Sequence, residues 1–370
     1  MDINLNIKKS QRIRAFQLFF IILGTQISVG ILGTPRYVFA DAHQDAWLSI
    51  IIAFLYMLIV IWAMFLILNQ YENTDIFGIQ VDIFGKWIGK LLGTIYILFF
   101  VAGLLTVLLS YIQVVQVFLF PTLPSFMMGL LLLILVIYSV LGGIRVIVGV
   151  VFIFGLLLPW VFGLLYDPIT RMETAHFLPM FEASLTDLFK GAKTTAYTFL
   201  GLEILFFIYP FVENKQNAKL PFYLGTSVSS FIIFVTTIIS IGYYSPNDLE
   251  LMEWPVLSLF KSVSFSFMER FDYFVVAEWI IVVIPTMILL MWAITYGTKR
   301  LYAIPQKTTL YVVSILLLLI CTFTKTNYQI QKVVDIVAKV GFWIVFVYPL
   351  ILLPIVLIKK KLQKSKGGAK

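Results

Sequence analysis

Long stretches without a charged residue dominate this chain and direct it into a membrane. An ion at the centre of a bilayer is costly, so charge-free runs mark the crossings. Twenty-one uncharged residues lie between Arg14 and Arg36, and 26 lie between Asp45 and Glu72. The 54 between Lys90 and Arg145 exceed one crossing and divide at the Pro121-Thr122-Leu123-Pro124 turn. Another 21 separate Arg145 from Asp167. In the second half, 192–212 reads as a span interrupted by Glu203, and 271–298 as one interrupted by Glu278. The runs 220–247, 308–324 and 340–358 complete a set of ten. Composition agrees: 61% of the 370 residues are hydrophobic and 12% are charged, against roughly 45–50% and 25% in a soluble domain. At ~20 residues per crossing, the apolar residues suffice for about ten or eleven helices. The expected fold is an all-α membrane protein, a single bundle of ten transmembrane helices over 1–370. It divides into five-helix repeats at 1–170 and 171–358 and a basic tail at 359–370.

With ten spans both termini share one side. Taking that side as cytoplasmic, the termini and alternate loops carry 18 of the 27 Lys and Arg residues, which is the positive-inside pattern. Orientation therefore accounts for the net charge of +8, and nucleic acid is not implied. Ala40-Asp41-Ala42 resembles a leader-cleavage site, but the apolar run before it is longer than a leader's core and is read as the first span. The single cysteine, Cys321, excludes an internal disulfide. Residues 74–90 place Phe77, Val81, Phe84 and Ile88 at helical spacing, as a helix lying on the cytoplasmic face would. Residues 245–269 are expected to form an outer helix packed on the bundle. The six lysines of the tail fix orientation and suit anionic lipid.

Two spans carry breaks. The first contains Gln26-Ile27-Ser28-Val29-Gly30-Ile31-Leu32-Gly33-Thr34-Pro35, and the sixth contains Thr198-Phe199-Leu200-Gly201-Leu202-Glu203 followed by Pro210. Glycine and proline weaken a helix, and the freed backbone groups must line a cavity or be buried in protein. Gly30 and Gly201 are 171 residues apart, close to half the chain. Interrupted spans at matching places in two halves point to an inverted-repeat transporter fold with its site at the breaks. The simpler alternative is that the glycines let neighbouring helices approach. Glu203 must be paired, hydrated or protonated at such a depth. Three roles fit it: a hydrogen-bonding strut across the first-span break, a ligand contact, or a proton carrier.

Other polar residues suggest an internal cavity. Thr106, Ser110 and Gln113 recur at i, i+4 and i+7 in the third span, fitting either ligand contact or interhelical bonding. Glu278, Pro285 and Thr286 share a face of the eighth span. Asp335 and Lys339, at i, i+4 in the tenth, are candidate gate or ion-coupling groups together with Glu203 and Glu278; alternatively Lys339 reaches Glu278. His43 and His176 show no metal-ligand spacing. No nucleophile elbow or phosphate loop occurs, so no enzyme, metal or cofactor is expected.

The run from Ile27 to Pro35 resembles the first-helix motif of the amino acid–polyamine–organocation transporters, and Ala196 to Glu203 resembles their sixth-helix motif. Over nearly the whole chain the sequence is more similar to the B subunits of GerA-type spore germinant receptors. The residues that carry this are Gln26 with Gly30, Thr34-Pro35-Arg36, Phe199-Leu200-Gly201-Leu202-Glu203-Ile204, Pro210-Phe211, Trp254-Pro255 with Ser258-Leu259, and Glu269-Arg270-Phe271-Asp272. The resemblance implies a LeuT-like fold and a subunit that binds a small nutrient germinant, typically an amino acid, in the inner membrane of a dormant spore. It also implies an A subunit and a lipoprotein C subunit as partners. Carried over by motif, the ligand site comprises the backbone at Gly30 and Gly33 with Phe199, Gly201 and Glu203. Gln26, Ser28, Ile31, Thr106 and Ser110 are added as expected lining. The transporters usually have glycine where this chain has Ser28, a difference that narrows the carboxylate site and leaves an unusual or non-amino-acid ligand open.

In this reading the first-helix break, a positive half-helix end, holds a ligand carboxylate. The sixth-helix break or Glu203 meets its ammonium, and binding shifts the bundle between states. The rival reading is a proton-coupled amino acid permease on the same fold.

Overall fold

A computed structural model describes residues 3–263, 271–324 and 326–367. Side chains are described for all of these except 271–272 and 364–367. The Glu269-Arg270 pair, the end of the expected outer helix and the last three tail residues lie outside them.

The described residues form helices joined by short turns, because a backbone in hydrocarbon must satisfy its own hydrogen bonds. The first span is split into Gln17–Gln26 and Gly30–Ala42. A tight turn through His43–Asp45 leads into the second, Ala46–Leu68. Ile76–Phe118 holds the surface helix and the third span, joined at Gly85, where φ is +80°. The fourth and fifth are Ser125–Leu141 and Ile144–Gly163. The sixth is built from Leu185–Thr194 and Thr195–Tyr197 on one side of a break, and Ile204–Ile208 and Tyr209–Phe211 on the other. Lys219–Tyr243 is the seventh, Phe271–Glu278 with Ile280–Tyr302 the eighth, and Gln306–Phe323 the ninth. The tenth runs from Asn327–Gly341 through a π-helical segment, Phe342–Val347, into Tyr348–Gly367.

Seven helical stretches are long and apolar enough to cross a bilayer on length and composition alone. Ten is reached because one of them, Gly30–Leu68, reverses at the His43 turn and serves two spans. The 17-residue Ser125–Leu141 and the fragmented sixth span supply the others.

Three details depart from the sequence reading. The surface helix ends at Gly85 rather than running to Lys90, so Ile88 projects outward, 54% exposed, while Phe77 is fully buried. Phe77 sits between Gly93 and Gly297, where an added Cβ would lie 2.7 Å from its ring. The outer helix is two short ones, Pro246–Leu251 and Pro255–Leu259; the prolines at 246 and 255 each start a helix, as N1 prolines do. The sixth span begins at Leu185, seven residues earlier than its apolar run, with Ser184 capping it through the Asp187 amide.

The two broken spans are tied together on the face that carries the termini. Ile13 and Val212 form a parallel bridge, with Ile13 N–H donating to the Phe211 carbonyl and Glu213 N–H to the Ile13 carbonyl, both at 2.9 Å. Nearby, Arg145 Nη2 donates to the Lys9 carbonyl at 2.6 Å. Buried Asp75 accepts from Tyr296 Oη at 2.6 Å and Arg300 Nε at 3.0 Å. On the opposite face, Asp45 accepts from the Phe181 and Ala183 amides at 2.7 and 3.0 Å. Thus each face fastens the first span's neighbourhood to the sixth's.

Candidate functional site

The first helix stops at Gln26 because Ile27 turns extended (φ −86°, ψ 103°), and helix resumes at Gly30. The first amides of that second helix have no intrahelical acceptor, so its positive end opens toward the break. In the sixth span residues 198–203 run as turns. Gly201 takes φ +120°, and an added Cβ would lie 2.7 Å from the Thr25 side chain. Glycine is therefore demanded there twice, by backbone conformation and by contact with the first span. The Gly201 amide donates to Glu203 Oε2 at 2.9 Å.

The breaks also bond directly to each other. Thr34 and Thr198 hydroxyls meet at 2.5 Å. Gln26 Nε2 donates to the Phe199 carbonyl at 3.3 Å, and its Oε1 accepts from Ser229 of the seventh span. Thr286 of the eighth span donates to the Gly24 carbonyl at 2.7 Å.

Two adjoining cavities lie at these breaks, and Gly30, Tyr197 and Thr198 line both. The inner one, about 50 Å³, is bounded by Gln26, Ser28, Thr106, Gly201 and Glu203. Ser28 Oγ is buried there with no protein hydrogen-bond partner, and the space suits one or two water-sized groups. The outer one, about 290 Å³, reaches toward the face opposite the termini and is bounded by Gly33, Ser110, Gln113, Asp335 and Lys339. The polar face of the third span thus serves both chambers, Thr106 in the inner and Ser110 and Gln113 in the outer.

Not every expected residue converges here. Ile31 and Phe199 are fully buried and line neither cavity; Phe199 contributes its backbone carbonyl to Gln26. Glu278 lines neither cavity and lies on the side of the eighth span that meets Trp160 of the fifth. No ion pair joins Lys339 to Glu278 among the described residues, and Asp335 accepts from Gln331 Nε2 at 2.9 Å. Gln331 also accepts from Tyr37 Oη at 3.1 Å, linking the first and tenth spans across the outer cavity. Among the described residues no cluster of three His, Cys, Asp or Glu side chains forms.

A model of the family described as spore germination protein matches residues 12–330. The chain belongs to that family. The Bacillus cereus spore germination protein GerQB is 30% identical over 355 residues, covering 95% of this chain and 98% of its own. Spore germination protein YndE of Bacillus subtilis (strain 168) is 24% identical over 364 residues, covering 96% and 99%. Among solved structures, a Na+-coupled sialic acid symporter in a substrate-bound outward-open state aligns over 91% of this chain and 79% of its own, with TM-score 0.65 and 12% identity. Mhp1, a nucleobase-cation-symport-1 family transporter, aligns over 92% and 81% with TM-score 0.58 and 13% identity. These alignments establish a shared fold, the LeuT-like bundle with broken first and sixth helices.

In this spore germination family member, sequence reasoning missed Tyr37, Tyr197, Glu253 and Phe342 at the outer cavity. Glu253 directly precedes Trp254-Pro255, but that local sequence does not place it over the first span. Phe342 opens the π-helical segment of the tenth span, and π-turns recur at functional positions, but its apolar sequence gives no hint of one.

Proposed function

We propose that this chain is the nutrient-sensing subunit of a spore germinant receptor, and that it binds a small germinant, an amino acid, at the two breaks. The observation that carries this reading is the pair of cavities at the breaks, with Gly30 and Thr198 on both and Gly201 and Glu203 on the inner one, in a chain of the spore germination protein family. A ligand carboxylate meets the positive end of Gly30–Ala42, and its ammonium meets the carbonyls at the sixth-span break. Ser28 Oγ and Glu203 supply polar contacts below. Closing contacts such as Thr34–Thr198 and Tyr37–Gln331 then differ between empty and bound states, giving the ligand unequal affinity for the two.

The bundle passes this shift to a receptor A subunit and a lipoprotein C subunit in the spore inner membrane. Both termini face the spore interior, as the Lys and Arg distribution favours. The test is deletion of this gene alone and exposure of the spores to amino acids, sugars and nucleosides, reading release of stored calcium. Loss of response to one nutrient class, with the others intact, supports the receptor reading and names the class. An unchanged profile, joined to accumulation of a labelled amino acid in liposomes bearing the purified chain, overturns it in favour of a permease.

A further inference from the structure

The outer cavity is roofed by a segment that crosses the first span. Residues 252–254 connect the two short helices Pro246–Leu251 and Pro255–Leu259. They press so closely on Gly33 that an added Cβ there would lie 3.2 Å from the Glu253 carbonyl oxygen. Gly33 is three residues past Gly30, a helical rise of ~4.5 Å, so Glu253 stands about one turn beyond the break, a distance that a short side chain spans.

The Glu253 carboxylate is oriented rather than neutralised. Gln113 of the third span, 5% exposed, donates Nε2 to Glu253 Oε1 at 2.9 Å, and no Lys, Arg or His pairs with Glu253 among the described residues. An ionised carboxylate has about four lone-pair sites, and a single neutral amide occupies one. Gln113, Glu253 and Trp254 all line the cavity. The roof therefore combines an indole with an acceptor of unspent capacity, opposite a floor that suits an anion.

We propose that Glu253, positioned by Gln113, reads the far end of the ligand, and that the ligand is an α-amino acid whose side chain ends in an N–H donor: a carboxamide, an ammonium or a guanidinium. The inference rests on the seat proposed above, with the ligand's head group at the breaks. A donor-ended side chain fills the acceptor; an apolar one of equal bulk leaves a partly desolvated carboxylate unpaired, which disfavours it.

The experiment measures binding of L-glutamine, L-asparagine, L-lysine, L-methionine and L-leucine to the full chain in lipid nanodiscs. The wild type is expected to bind at least one of the first three about tenfold or more tightly than the last two, the effect of one charge-assisted hydrogen bond. Glu253→Leu and Gln113→Leu should each shrink that ratio about tenfold, while Glu253→Gln loses L-lysine before L-glutamine. Thermal melting without ligand identifies a variant that misfolds, in which case the remaining two carry the test. A wild type that prefers L-methionine or L-leucine overturns the inference. So does a Glu253→Leu protein weakened equally toward all five, which would mark the roof as structural only. Failure of the wild type to bind any of the five overturns this inference alone; the amino acid reading beneath it then stands or falls on the spore nutrient panel.

Discussion

The backbone amide of Gly201 points at the carboxylate of Glu203, two residues along, at 2.9 Å. This bond closes the sixth-span break on itself, whereas the sequence left open a strut reaching across to the first span. The link between the breaks is made by neighbours instead, Thr34 with Thr198 and Gln26 with the Phe199 carbonyl. Glu203 therefore holds the shape of the break from one side and lines the inner cavity from the other.

Gly201→Val should abolish germinant response while the protein still reaches the membrane. At φ +120° a side chain costs about 1–3 kcal/mol in backbone strain. Its Cβ also meets Thr25, so the first-span break must move. Spore calcium release against protein abundance separates loss of function from loss of protein, and a normal response would sink the site assignment.

Glu203→Gln and Glu203→Ala should differ. The amide keeps an acceptor for the Gly201 N–H, whereas alanine leaves a buried donor unsatisfied at a cost of about 1–3 kcal/mol. If Glu203 acts only as a strut, the glutamine variant retains most of the response; if its charge contacts the ligand, both variants lose it. Dose–response curves on spores of each variant make the distinction.

The breaks were legible because glycine and proline weaken a helix wherever they interrupt an apolar run, and Gly30 and Gly201 recur half a chain apart. Asp335 and Lys339 were legible as neighbours on one helix face, but that they line the outer cavity while Glu278 does not was not, because helix rotation is set by packing. Glu253 was hidden for a related reason. Its place over Gly33 depends on a loop meeting a helix more than 200 residues earlier, and nothing local encodes that. Gly85 misled in the opposite direction: it is one of three glycines in 74–90, each tolerable inside helical periodicity, yet its positive φ turns the chain.

Asp75→Ala should be among the most destabilising substitutions away from the cavities. Asp75 is fully buried; it caps its helix through the Gly78 amide and holds Tyr296 and Arg300. Removing one partner of a buried pair costs about 3–5 kcal/mol. A double variant, Asp75→Ala with Arg300→Leu, should recover part of that loss, since no charge is left stranded. Thermal unfolding in detergent measures the cycle, and strict additivity would show that the pair does not couple.

The end of the tenth span should be released by acid. Asp82 lies on the surface helix before the Gly85 turn, outside the spans. There it accepts from Tyr71 Oη at 2.9 Å and pairs with Lys359 and Lys360, while Lys360 also lies 4.0 Å from the Tyr71 ring centroid. Burial pushes its carboxyl up, but the Tyr71 hydroxyl and the two ammoniums outweigh that and hold it below the usual carboxylate range. With the folded value depressed, the stabilisation is complete above the unfolded value of ~3.9 and fades as pH falls through the folded one. A fluorophore on Gln363→Cys, with Cys321 buried, should report an anchored helix end from neutral pH down to about 4 and a progressively more mobile one as pH falls further, through the depressed value of folded Asp82. Asp82→Asn should be mobile throughout, and a pH-independent signal shared by both proteins would remove Asp82 as the anchor.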